Sequence, residues 1–265
     1  MSEDWFRVNL VAKNIYAIDD HGHDTIYLIV GSEKALIIDT GWGVGNLRDV
    51  ISKITNLPVI LVNTHGHPDH VSGDYQFDNV HICEDDIPIL EGCFKEENRL
   101  WALNNPLHGP YPKTFSTESW IQSDLGNIIP IKSGHTFDLG NKIIEVIKLA
   151  GHTPGGIALL DKDEKILFSG DSIIKGDIWM HLDHSESLST YLLCLENLLS
   201  QLSMFDIILP SHGEPIKPDI IYELIEGIQA ILGGQKKGKP VQTFVGDGLL
   251  CEFANCGIVY NNAKL

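Results

Sequence analysis

His65-Gly66-His67-Pro68-Asp69-His70 gathers three imidazoles and a carboxylate into six residues. The stretch follows closely on the apolar run Val59-Ile60-Leu61-Val62, which is β-branched, led by Pro58, and reads as a buried strand. Extended backbone puts side chains i and i+2 on one face, so His65 and His67 can grip one ion together. Pro68 then turns the chain, and Asp69 and His70 project from the turn that follows. Neutral imidazole and carboxylate are the donors that borderline cations such as Zn²⁺ prefer. A histidine-rich surface loop is the plainer alternative, but compact His/Asp groups at strand ends are characteristic of metal sites.

The rest of the chain supplies a frame for such a site. Its 265 residues suffice for one large domain or two small ones, and 43% hydrophobic content is ordinary for a globular protein with a full core. No apolar run approaches the roughly 20 residues of a membrane span. Met1-Ser2-Glu3-Asp4-Trp5 lacks the basic and apolar regions of a signal peptide, so a cytoplasmic protein is expected, with no membrane partner. The five cysteines, Cys83, Cys93, Cys194, Cys251 and Cys256, are odd in number and scattered, which suits reduced thiols. A formal charge of −17 repels phosphate backbones and argues against nucleic-acid partners. It does not exclude small anions, because bound dications dominate the field near them.

Working outward, Val8-Leu10, Ile15-Ile18 and Ile26-Val30 read as strands, and Asp19–Asp24 as a polar hairpin loop whose His21 and His23 are expected to be solvated. Ala35-Leu36-Ile37-Ile38 is a buried strand ending in Asp39-Thr40-Gly41-Trp42-Gly43, where glycines permit close backbone approach. Asn46–Thr55 is a short helix with Leu47, Val50, Ile51 and Ile54 on one stripe. From 85 to 122 the pattern changes to helical pieces around a proline-rich aromatic loop, an insertion that suits a lid, with Trp101, His108 and Tyr111 as candidate substrate contacts. Packing of these aromatics onto the domain is the competing reading. Strands return at Lys142–Leu149, Ile157–Leu160 and Lys165–Phe168. The stripe Leu188, Tyr191, Leu192, Leu195, Leu198, Leu199, Leu202 predicts an amphipathic helix capped by Ser187. A strand at Phe205–Leu209, a last helix opened by Pro218 and closed by Gly233-Gly234, and edge strands at Val241–Val245 and Gly257–Tyr260 complete the chain. The order is that of an α/β fold, with no clear interdomain linker.

Three of these later strands end alike. Lys142–Leu149 runs into Gly151-His152-Thr153-Pro154-Gly155, Lys165–Phe168 into Gly170-Asp171-Ser172, and Phe205–Leu209 into Ser211-His212-Gly213. Each small-residue loop presents one His or Asp, and α/β folds collect their sites at the carboxyl ends of strands. The donor set is then His65, His67, Asp69, His70, His152, Asp171 and His212. Seven donors are too many for one tetrahedral ion and suit two ions about 3.5–4 Å apart.

H-x-H-x-D-H, a Gly-His-Thr-Pro-Gly loop, Gly-Asp and a strand-final Ser-His-Gly together resemble the metallo-β-lactamase-fold hydrolase superfamily, and Ile38-Asp39-Thr40-Gly41 matches its first motif. The resemblance covers essentially the whole chain, the 85–122 insertion being its least typical part. It implies a single domain over residues 1–265 built as a four-layer αβ/βα sandwich, two mixed sheets with helices outside. It further implies that His65, His67 and His152 hold one metal, that Asp69, His70 and His212 hold the other, and that Asp171 bridges them. Asp39 would orient the site from behind. Two divalent ions are expected, zinc foremost, with iron or manganese as alternatives.

A water shared by two dications becomes a nucleophile near neutral pH, and Asp69 is placed to ligate and to carry a proton. Signal-lactone hydrolases of this fold have a tyrosine where this chain has Ile174, true β-lactamases generally lack the bridging aspartate, and diiron oxygen reductases carry glutamate at the position of His67. The basic glutathione-binding segment of glyoxalase II enzymes is not found. Trp42, Trp179, His181 and His184 are expected at the rim, the two histidines as candidate proton donors. The expected activity is hydrolysis of a small-molecule ester, lactone or thioester, with a homodimer as one open assembly state. A mononuclear iron oxygenase of the persulfide dioxygenase type, a phosphodiester hydrolase and a non-catalytic metabolite sensor are the alternatives.

Overall fold

The computed structural model describes residues 5–107 and 109–265, so the candidate contact His108 lies outside the described residues. The chain divides into two compact units, Met1–Ile144 and Glu145–Leu265.

In the first unit β1 (Phe6–Ala12), β2 (Ile15–Asp20), β3 (Thr25–Val30) and β4 (Ala35–Ile38) form an antiparallel run. Three parallel strands extend it: β5 (Val59–Val62), β6 (Asn79–Cys83) and β7 (Asn127–Ile131). The result is one mixed seven-stranded sheet in sequence order. β4 is buried at every position, as the unbroken apolar run of a strand covered on both faces must be. Helix α1 (Leu47–Ser52) crosses over between β4 and β5. The Asn46 side chain accepts a hydrogen bond from the Asp49 amide, and Leu47 and Ile51 are buried; the helix ends two residues before its apolar stripe does. Short α2 (Pro68–Val71) follows β5, with Pro68 in its first turn where a missing N–H costs nothing.

The parallel pairing of β4 with β5 decides what comes next. Ile38 stands opposite Val62, and the Asp39 amide donates to the Val62 carbonyl at 2.9 Å. The loops leaving these strands therefore run side by side. They touch so closely that a Cβ on Gly43, at φ +72°, would lie 2.6 Å from the Ser72 carbonyl, and one on Gly73 2.5 Å from that of Thr40. Only glycine fits there.

The 85–122 insertion holds α3 (Ile87–Cys93), α4 (Glu96–Asn104) and α5 (Thr117–Ile121). Its Leu90, Cys93, Ala102, Leu107 and Trp120 belong to the buried core of the first unit. The buried Arg99 guanidinium stacks on Phe94 and Trp120, at 4.2 and 4.6 Å from their ring centres, and donates to the Trp120 carbonyl and, at 2.7 Å, to the Ser123 hydroxyl. Trp120 Nε1 donates to the Trp42 carbonyl at 3.0 Å. Much of the insertion is thus fixed core rather than detachable cover. Tyr111 packs within it, its hydroxyl on the Leu107 carbonyl, while Trp101 is exposed. β8 (Thr136–Asp138) completes the unit, and β9 (Ile143–Lys148) leads out of it.

The second unit orders its first sheet β13 (Ile207–Pro210), β11 (Ile166–Gly170), β10 (Ile157–Asp161), β9. β10 and β11 are antiparallel, β11 and β13 parallel. Gly170 stands opposite Pro210 and accepts from the Ser211 amide, so the loops bearing Asp171 and His212 also leave side by side. A further mixed sheet runs β12 (Asp177–Met180), β16 (Gly257–Tyr260), β15 (Gly246–Glu252), β14 (Lys239–Thr243). The described residues therefore form three sheets where two were expected, and Gly257–Tyr260 is an interior strand rather than an edge. β12 pairs parallel with it, a long-range contact with no trace in local pattern. Helix α6 (Leu188–Leu199) is capped by Ser187, which accepts from the Thr190 amide at 3.1 Å. Such a cap is worth about 1 kcal/mol. With α7 (Ile220–Leu232) it closes a core that includes Tyr191, Leu195, Leu224 and Ile228. All five cysteines are free thiols, and no helix among the described residues is long and apolar enough to cross a membrane.

One buried acid makes the first unit sensitive to pH. Asp74 is fully buried, and that burial drives its carboxyl well above the ordinary range, against the opposing hydrogen bonds from Thr40 and Asn63. A raised folded pKa contributes stability that is fully present below the unfolded value of about 4 and is lost as pH rises through the folded value. Asp74→Asn copies the protonated acid. Its urea midpoint should match wild type at or below about pH 4, exceed it at about pH 8, and so show the shallower pH slope. Equal slopes would clear Asp74 of this role.

Candidate metal centre

In the first unit the donors are organised by one carboxylate. Asp39, fully buried at the end of β4 with φ +64°, uses a left-handed conformation that aspartate tolerates better than most residues. Its Oδ1 accepts from the Thr64 amide at 2.7 Å, and its Oδ2 from the Thr64 hydroxyl at 2.8 Å and from His70 Nδ1 at 3.0 Å. The Thr64 hydroxyl, having given its proton to Asp39, lies 3.0 Å from His65 Nδ1 and is its acceptor. This network assigns the proton of both rings to Nδ1 and leaves Nε2 as the donor atom. His70 Nε2 faces Asp69 Oδ2 at 3.6 Å, and His65 Nε2 lies 3.1 Å from His67 Nδ1. Two imidazole nitrogens that close either share a proton or turn their lone pairs on a common cation.

The loop carrying these rings is clamped from the insertion. The Gly66 amide donates to Asp86 Oδ2 at 2.8 Å, and the Cys93 thiol donates to the Gly66 carbonyl at 3.2 Å, so the two ends of α3 hold one residue of the loop. Burial pushes the Cys93 thiol up to about 12, with Asp69 and Asp74 adding to it, so it is a neutral donor and no thiolate ligand.

The second unit repeats the arrangement. His152 Nδ1 donates to the Trp179 carbonyl at 2.7 Å, and the Ser185 hydroxyl donates to the His152 carbonyl at 2.9 Å. Lys264 pins the same segment by donating to the carbonyls of Leu182, Asp183 and Ser185. The other ring nitrogen, Nε2, lies 3.8 Å from Asp171 Oδ2, and His212 Nε2 lies 3.4 Å from that same oxygen. One carboxylate oxygen between two imidazoles is the disposition of a bridging ligand.

Each of the seven donors thus sits where a strand ends, four in the first unit and three in the second. The chemistry of the set fits divalent metal: imidazole and carboxylate oxygen, no thiolate, and ring tautomers fixed from behind. The expected rim differs. Trp42 is buried in the core of the first unit, its amide on Asp20 Oδ2 at 2.8 Å. Asp20 also accepts from Trp5 Nε1, and His21 stacks on Trp5 at 4.2 Å, so the Asp19–Asp24 loop is held by tryptophans. His181 is buried, its imidazole pKa lowered first by that burial and then by His152. A ring kept neutral is a poor acid at neutral pH. His184 is exposed. Sequence reasoning missed Thr64, whose only local signal is its place beside His65, and Asp86, Cys93 and the Trp179 carbonyl, which have none.

A profile of the metallo-β-lactamase superfamily matches residues 20–203. The chain belongs to that superfamily. It is 27% identical over 241 residues to the human acyl-coenzyme A thioesterase MBLAC2, covering 83% of this chain and 86% of the relative. It is 29% identical over 196 residues to the hydroxyacylglutathione hydrolase GloC of Haemophilus influenzae, covering 70% and 84%. A metallo-beta-lactamase from Pontibacter korlensis superposes with a TM-score of 0.57 at 20% identity, over 84% of this chain and 99% of that one, and so shares the fold. The superfamily relatives bear out the α/β class and a hydrolase, and the fold implies divalent metal.

If Asp39 sets the donor tautomers, Asp39→Asn should fold normally, since asparagine also tolerates the left-handed backbone. Its Zn²⁺ affinity, read by competition with a chromophoric chelator, should fall about 10–100-fold. Unchanged affinity in a folded variant would remove Asp39 from the site.

Proposed function

We propose that this protein is a dinuclear metal-dependent thioesterase acting on a small-molecule acyl thioester. The observation that carries the metal reading is that His65, His70 and His152, from two different strand ends, are each tied at Nδ1 by a separate acceptor, which sets Nε2 as the ligating nitrogen. His65, His67 and His152 would hold one ion, Asp69, His70 and His212 the other, and Asp171 would serve both. Such ions acidify a water and stabilise negative charge developing on a carbonyl oxygen.

The chain's own residues supply the rest. Asp69, its side chain 27% exposed and its carboxylate beside His70, is the group able to take a proton from the attacking water and return it. Asp39, Thr64 and the Trp179 carbonyl hold the rings so that no reorientation is needed during reaction. A thiolate leaves without prior protonation far more readily than an alkoxide, so a thioester asks less of Asp69 as proton carrier than an ester does. The names of two relatives point the same way: an acyl-coenzyme A substrate and a hydroxyacylglutathione substrate are both thioesters. Zinc is the favoured metal for an imidazole-carboxylate set, with iron and manganese as competitors.

Protein purified without chelators should carry about two metal ions per chain by elemental analysis and hydrolyse acyl thioesters. Asp171→Ala should retain the fold but lose about one ion and most turnover. A single iron per chain without thioester, ester or lactone hydrolysis would sink the proposal in favour of the oxygenase, and both ions with normal turnover in Asp171→Ala would refute the shared carboxylate.

A further inference from the structure

The hairpin joining β14 to β15 carries two apolar side chains into solvent at its tip: Phe244 is 66% exposed and Val245 40%. Adjacent in sequence, the two make a small apolar patch rather than a single scattered side chain. This tip is not loose. The Thr243 hydroxyl donates to the Gly246 carbonyl at 2.8 Å, accepts from the Val245 amide at 3.3 Å and lies 3.0 Å from His181 Nε2. Behind it Gly248 lies against His181, where a Cβ would come within 3.1 Å of that residue's own Cβ. His181 therefore fixes the hairpin.

Phe244 so held stands edge-on to Trp179, ring centres 5.2 Å apart and planes at 65°. Trp179 is also edge-on to His181 at 5.7 Å. The carbonyl of this same Trp179 holds His152 Nδ1 at 2.7 Å. An angled apolar ledge thus starts from the residue whose carbonyl holds a candidate metal donor and ends at the hairpin tip. Two rings meeting at 65° form a corner against which an alkyl chain can lie on two sides.

We propose that Phe244, Val245 and Trp179 form the subsite that receives the apolar acyl chain of the substrate. The proposal rests on the thioesterase reading for the reaction, and on the hairpin geometry alone for the subsite. Acyl chains long enough to reach the tip gain contact that an acetyl group cannot make, about fourfold in kcat/KM for each methylene fully buried.

The test uses acetyl, hexanoyl and decanoyl thioesters of N-acetylcysteamine, with wild type, Phe244→Ala and Phe244→Leu. Wild type should prefer decanoyl. In Phe244→Ala the decanoyl-to-acetyl ratio of kcat/KM should fall about tenfold, and Phe244→Leu should restore part of it. A second arm measures binding of the decanoyl thioester to chelator-treated protein by calorimetry, where Phe244→Ala should weaken it by a similar factor. A ratio unchanged in Phe244→Ala, with both substrates slowed equally or neither, would overturn the subsite. If wild type hydrolyses none of the thioesters, the thioesterase reading fails. The calorimetric arm then decides the subsite by itself, weaker binding in Phe244→Ala upholding it and equal binding overturning it.

Discussion

The candidate donors of the first unit depend on the buried carboxylate of Asp39. Its two oxygens accept from the Thr64 amide, the Thr64 hydroxyl and His70 Nδ1, and through Thr64 they reach His65 as well. A buried carboxylate is costly unless its lone pairs are satisfied, and here three donors satisfy them. The same three bonds fix the tautomer and orientation of two imidazoles. One requirement of folding, that a buried charge be hydrogen-bonded, therefore also prepares the donors for metal.

Strand pairing explains why Asp39 can do this. β4 and β5 are parallel and in register at Ile38 and Val62, so the residues that follow them meet. β11 and β13 repeat the device at Gly170 and Pro210, and there Asp171 and His212 meet. Close approach of the loops demands glycine at Gly43 and Gly73, and the insertion adds Asp86 and Cys93 as a clamp on Gly66. The insertion is thus structural at its α3 end, where it grips the metal loop. Its core is set by Trp120 and by Arg99 stacked between two rings.

Legibility of the fold followed the range of the interactions. β4 and β5 were readable because a strand buried on both faces is an unbroken apolar run, and α6 because its stripe and Ser187 cap are local. The third sheet was not, because β12 and β16 are eighty residues apart by roughly the count of strand midpoints and neither carries a mark of its partner. Trp42 was misplaced for the same reason. A tryptophan in a glycine loop reads as a rim residue, and only the contacts of Trp120 and Asp20 make it core.

By itself the sequence determined the candidate chemistry of the protein: an imidazole-carboxylate set, four members after one strand and one after each of three others, in the order of the metallo-β-lactamase superfamily. Donor chemistry is a property of side chains and of short spacings, and both are written in the chain. Tertiary structure alone decided which atom of each ring is held from behind, since that depends on partners such as Asp39 and the Trp179 carbonyl, which lie 31 and 27 residues from the rings they hold. It alone also set Phe244 against Trp179 beside His152, because the hairpin comes to that place only through the pairing of a sheet.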